Sequence, residues 1–184
     1  MRISSVILLF AVVILFANCE DDIPAVEYKQ QGFIRGTIEG TASDDDTDID
    51  ETFRYTRYAP GLTLSTQAFS YYELDDDGSI EAAIFRQDLS TGSYVYFEFE
   101  LEDADDTTPD DMYFEIVYIK EANEILYFEM DNDDDNDFEI SDFSFDITTG
   151  RLKAGFSLEG EENSTDNNAT VEGDMDVVIK QVLY

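Results

Sequence analysis

The chain has 184 residues, with 44 Asp and Glu against 10 Lys and Arg, one Cys, no His and no Trp. Without His there is no Ser-His-Asp triad, no imidazole base and no His-ligated zinc, and a single Cys leaves no internal disulfide and no Cys-x-x-Cys site. A formal charge of −34 argues against nucleic acid as a partner, because phosphates need Lys and Arg.

Residues 1–18 read as a signal peptide. Met1-Arg2 is a short basic start, and Val6 to Ala17 is an unbroken apolar run of 12 residues. That length suits a signal-peptide core and falls short of the roughly 20 residues that span a bilayer. The run ends at Phe16-Ala17-Asn18-Cys19, and Cys19 is the chain's single cysteine. This segment resembles the lipobox of bacterial lipoproteins, with Phe16 in place of an aliphatic residue and Asn18 in place of a small one. The resemblance implies that Cys19 is acylated, becomes the mature N-terminus and ties the protein to a membrane. Residues 19–31 then form a lipidated acidic tether. Its Glu20-Asp21-Asp22 looks like the acidic export cluster of Bacteroidota surface lipoproteins, which implies an outer-membrane, surface-exposed location.

From Gln31 onward the dominant signal is alternation at period two among aromatic and β-branched residues. Strands are predicted near 32–40, 52–58, 62–74, 79–87, 94–101, 111–120, 124–130, 138–148, 152–159 and 168–182. The clearest is 94–101, where Val95, Phe97, Phe99 and Leu101 share one face and Tyr94, Tyr96, Glu98 and Glu100 the other. No stretch beyond the leader carries a helical stripe. The expectation is an all-β domain over residues 32–184, a single antiparallel β-sandwich, with a closed β-barrel as the alternative.

Two hairpins can be registered. Around Asp76-Asp77-Gly78, a three-residue loop with glycine in the left-handed conformation pairs Leu74 with Ile80 and Phe69 with Phe85, and sets Glu73 against Glu81. Around Thr149-Gly150, a two-residue turn pairs Thr148 with Arg151, Ile147 with Leu152, Phe145 with Ala154 and Phe143 with Phe156. It sets Asp146 opposite Lys153 on the outer face.

The last third, Leu152 to Leu158 followed by a polar loop and Val171 to Val177, resembles the closing strands of many small Bacteroidota surface lipoproteins. That resemblance covers about forty residues, implies a sandwich and brings no catalytic residue with it.

The acids collect in loops, most of which read as solvated hairpin tips. One fits a calcium loop. Over Asp131 to Asp142, acids fall at positions one, three, five and twelve as Asp131, Asp133, Asp135 and Asp142, with Asp137 at position seven. Hard cations need such oxygen density. Asn136 stands where glycine is usual and Asp142 is one methylene shorter than the usual Glu, so calcium, the one cofactor offered, would be bound weakly. Tyr55, Tyr58, Tyr71, Tyr72, Tyr94 and Tyr96 are candidate sugar-stacking residues. No catalytic residue is assigned. The sequence thus predicts a lipid-anchored cell-envelope protein with a binding or structural role toward a surface protein or glycan. The alternative is a glycan-binding module or a carboxylate glycosidase.

Overall fold

The computed structural model describes residues 32–41, 48–56, 70–120, 124–131, 137–161 and 168–182. Alternation of apolar and polar residues builds eleven strands here. They are β1 (Gly32–Thr41), β2 (Asp48–Tyr55), β3 (Tyr71–Leu74), β4 (Ile80–Gln87), β5 (Tyr94–Leu101) and β6 (Asp111–Ile119). Then come β7 (Ile125–Asp131), β8 (Asp137–Asp146), β9 (Arg151–Glu161), β10 (Asn168–Val178) and β11 (Lys180–Gln181). One sheet has five strands in the order β2-β1-β10-β9-β8, the other six in the order β11-β3-β4-β5-β6-β7. Every pairing is antiparallel except β11 with β3. Neither sheet closes on itself among the described residues, so the barrel alternative falls and the fold is the expected β-sandwich.

Period-two alternation gives each sheet one apolar face, and the two faces pack on each other. Aromatic side chains make the seam. Phe99 of the six-stranded sheet meets Phe143 edge-on at 5.3 Å and Phe145 at 5.9 Å, and Phe114 lies 5.0 Å from Phe156. Glycine makes room for this on β10. A Cβ at Gly173 would lie 2.2 Å from the Arg35 carbonyl oxygen and 2.5 Å from the Phe156 ring, so no larger residue fits beneath that ring. Among the described residues, the charged exception in the interior is Arg86 on β4, fully buried, whose guanidinium donates to the Ser70 hydroxyl and to the Phe85 carbonyl oxygen at 2.7 Å.

The first hairpin has the expected register: Leu74 pairs with Ile80 and Glu73 with Glu81, and Gly78 sits at φ +101°. The proposed Phe69 partner of Phe85 lies outside the described residues. The second hairpin is corrected by two residues. Asp146 pairs with Arg151, Phe145 with Leu152 and Ser144 with Lys153. The turn spans four residues because the Asp146 carboxylate organises it, accepting the Thr148 N–H at 2.9 Å and the Thr149 hydroxyl at 2.8 Å. A two-residue slip preserves the side of every residue, so Phe143, Leu152, Ala154 and Phe156 are still buried and Phe145 and Ile147 half-buried.

A bulge between Ser141 and Ser144 adds a further offset, with Asp142 in the left-handed region at φ +50°. The extra residue switches parity. Phe138 and Ile140 at even positions, then Phe143 and Phe145 at odd ones, all pack toward the core.

Three smaller corrections concern strand ends. β2 begins at Asp48 rather than residue 52, since Ile49, Phe53 and Tyr55 continue the inward alternation into the acidic run. Of the strand expected over 62–74, Tyr71–Leu74 is a strand and 62–69 lie outside the described residues. The strand expected over 168–182 divides at Ile179, whose N–H bonds the Gly150 carbonyl at 2.8 Å as the chain crosses between sheets.

Candidate functional site

The outer face of the six-stranded sheet gathers tyrosines and glutamates in one pattern. Tyr71-Tyr72-Glu73, Tyr96-Phe97-Glu98, Tyr113-Phe114-Glu115 and Tyr127-Phe128-Glu129 lie on β3, β5, β6 and β7. In each triplet the middle aromatic is buried in the core, which turns the flanking Tyr and Glu outward. The order β3-β4-β5-β6-β7 then brings the triplets side by side, with Phe85 and Ala83 of β4 between them.

The registers arrange this face in rows across the strands. One row is Glu73, Glu81, Glu100 and Asp111, each directly opposite the next. Beside it lie Tyr71, Ala83, Glu98 and Tyr113, and then Phe85, Tyr96, Glu115 and Glu129. The rings touch: Phe85 is 5.2 Å from Tyr94, and Tyr96 is 5.9 Å from Tyr113.

The phenols are committed to the carboxylates. Tyr96 donates to Glu98 at 2.7 Å, Tyr127 to Glu129 at 2.7 Å, Tyr113 to Glu129 at 2.7 Å and Tyr94 to Glu115. Burial first, and then donation to a glutamate, push all four phenols above the ordinary tyrosine range, so each keeps its proton. The bonds from Tyr127 and Tyr113 hold Glu129 below the usual carboxylate range. Glu81 moves the other way. Partial burial and then the charges of Glu100, Asp75, Glu73 and Glu98 raise it, the cost of like charges placed directly opposite one another.

On β3 to β7 no outward residue among those described is Lys or Arg; Lys180 of β11, opposite Tyr71, stands at the margin. A shallow depression of about 100 Å³ opens on this face between β5 and β6, lined by Glu98, Glu100, Asp111 and Tyr113. A larger hollow of about 510 Å³, lined by Arg54, Gln87, Asp88 and Ser90 among others, brings one carboxylate beside a guanidinium and no tyrosine.

The residues singled out from sequence distribute as follows. Tyr71, Tyr94 and Tyr96 are on this face, Tyr55 and Tyr72 are buried in the core, and Tyr58 lies outside the described residues. Tyr113 and Tyr127 were missed, although the Tyr-Phe-Glu triplet recurs three times in the sequence. Cys19, Asp133 and Asp135 lie outside the described residues.

Asp131 ends β7, Asp137 begins β8, and Asp142 is the bulge residue within β8. Asp137 and Asp142 stand five positions apart on one strand, roughly 16 Å along it. Residues 132–136 lie outside the described residues. Among the described residues, no group of three or more acids is placed to hold a metal ion.

No protein-family model matches the chain, and neither a curated protein nor a solved structure does. The geometry of this face is what a functional reading has to rest on.

Proposed function

We propose that this is a lipid-anchored cell-envelope protein, held in the outer membrane through Cys19 and exposed at the surface, which acts as a binding module. The observation that carries the binding role is the tyrosine–glutamate face of the six-stranded sheet. Aromatic rings and carboxylates are assembled there across four strands and tied to one another by phenol–carboxylate hydrogen bonds. The acylated cysteine and the tether of residues 19–31 would hold that face away from the bilayer.

A second reading uses the same face: a glycan-binding module, or a carboxylate glycosidase. Tyrosine rings are stacking platforms for sugars, and glutamates accept from hydroxyls. The shallowness of the depression favours contact over hydrolysis, because a glycosidase holds the scissile bond between two carboxyl groups.

Anchor and face are tested separately. Cys19→Ser should shift the protein from the detergent phase to the aqueous phase, since two or more acyl chains anchor stably where one does not. An unmodified mature N-terminus by intact mass spectrometry overturns the anchor. For the face, intrinsic tyrosine fluorescence is a clean reporter because the chain has no Trp. Envelope-derived ligands should change it in the wild type and not in a Tyr96→Ala, Tyr113→Ala double variant.

A further inference from the structure

We propose that Tyr96 and Tyr113 form an oxidation site. There a one-electron oxidant couples the two rings into a dityrosine bridge between β5 and β6, with Glu98 and Glu129 taking the phenolic protons. This modification does not depend on what the face binds.

The first argument is proximity. The register sets Tyr96 opposite Glu115 and Tyr113 opposite Glu98, so the two tyrosines are diagonal neighbours on one face. Their ring centres lie 5.9 Å apart, with the planes inclined at 59°. Tyr96 is only 7% exposed, which shields it from the rings of other molecules, and Tyr113 is half-buried. A radical on Tyr96 therefore has an intramolecular partner already in contact.

The second argument is the route for the proton. Electron loss makes a phenol O–H strongly acidic, so it is easiest where a base already accepts that proton. Tyr96 donates to Glu98 at 2.7 Å, and Tyr113 donates to Glu129 at 2.7 Å against 3.4 Å to Glu115. Each ring thus has its own carboxylate, through a charge-assisted bond. Tyr71 provides the contrast: it lies on the same face and, among the described residues, donates to no carboxylate. With no Trp and a single Cys in the chain, tyrosines are its main one-electron donors.

The step balances. Tyr113 gives one electron to the oxidant and its proton to Glu129. Buried Tyr96 then reduces that radical through the ring contact, giving its own proton to Glu98 while Glu129 returns the first. A second oxidation of Tyr113, with its proton again taken by Glu129, leaves both rings as phenoxyl radicals. A carbon–carbon bond forms between positions ortho to the two oxygens, and the hydrogens on those carbons move to the oxygens, which restores both phenols. Two equivalents of oxidant each take one electron, and Glu98 and Glu129 release two protons to solvent.

The test is photolysis of the full-length protein, at low concentration, with a ruthenium tris-bipyridine complex and persulfate. Dityrosine fluorescence should appear in a species that stays monomeric on a denaturing gel and is lighter by two hydrogens. Digestion beside acidic residues and mass spectrometry should place the bridge between the Tyr96 and Tyr113 peptides. Tyr113→Phe should abolish that bridge, because Phe has no phenolic proton to give up, and Tyr71→Phe should leave its yield unchanged. Glu98→Gln with Glu129→Gln keeps both rings and removes two of the crowded negative charges, so it should fold, checked by far-ultraviolet dichroism. In that variant the yield should fall severalfold. An unchanged yield would mean that contact alone governs coupling and would overturn the inference. No bridge, or bridges formed chiefly between molecules or through Tyr71 as often as through this pair, overturns it too. None of these outcomes bears on whether the face binds a ligand.

Discussion

On the five-stranded sheet, Arg35 of β1 and Arg151 of β9 reach the β10 carboxylates Asp174 and Asp176 from either side, at 2.8 and 2.7 Å. Arg35 and Arg54 also lie over the Phe33 ring, at 5.0 and 4.1 Å from its centre. On the six-stranded sheet, the central strands set carboxylate against carboxylate, and phenols supply the hydrogen bonds that guanidinium groups supply opposite. Both sheets contribute to one core, so the difference lies in the outer faces. Like-charge pairs occur on both outer faces, Glu39 opposite Asp50 on one and Glu81 opposite Glu100 on the other. What differs is the donor that meets the remaining carboxylates: guanidinium groups on the first face, phenols on the second.

The largest expected effect sets the scale for this contrast. Phe156→Ala should cost about 3–5 kcal/mol in urea unfolding, because it empties a site shared by both sheets. Lys153→Ala, on the outer face of the same strand, should cost under about 1 kcal/mol. Comparable losses would mean that the outer faces carry far more of the stability than their exposure allows.

A charge swap compares the faces directly. Glu100→Lys turns two like-charge oppositions, with Glu81 and Asp111, into attractive ones, and should stabilise the protein by about 0.5–2 kcal/mol. Asp176→Lys on the other face should destabilise it, since it sets a cation against Arg151. The same sign for both substitutions would erase the distinction.

Acid titration gives the smallest and sharpest comparison. Glu81 is raised, so its charged form opposes folding, and stability should increase as pH falls from neutral toward the glutamate range near 4.5. Asp176 is held low, chiefly by its hydrogen bond from Arg151. Its contribution is present above the aspartate range near 3.8 and is lost as pH falls below it. Glu129, held low by Tyr127 and Tyr113, behaves like Asp176 although it lies on the opposite face. Glu81→Gln should flatten the rise and Asp176→Asn the fall, read from urea midpoints across pH. Unchanged profiles in both would assign the pH dependence to net charge as a whole.

Strand positions were largely legible in the sequence because alternation is a local signal, and Tyr94–Leu101 is both the clearest pattern and a strand with those bounds. Register was harder. The two-residue slip at Asp146 changes every partner yet no face, so hydrophobic matching cannot tell the two arrangements apart. Asp146-Ile147-Thr148-Thr149-Gly150 did contain the decisive cue, an aspartate able to cap the turn behind it. The bulge at Asp142 had no such cue. The tyrosine–glutamate face fell between these cases: Tyr-Phe-Glu is visible three times in the sequence, but its assembly depends on the strand order, which alternation does not encode.

One pairing has a consequence in time. β1 is bonded to β10, and the Arg35–Asp174 ion pair across that seam joins positions 139 residues apart. During synthesis β1 emerges early and can form only a hairpin with β2, since its other neighbour, β10, comes last among the long strands. Closing so large a loop is slow, because its entropy is lost before the contacts form. The five-stranded sheet is thereby kept from closing until nearly all of the chain is available to fold.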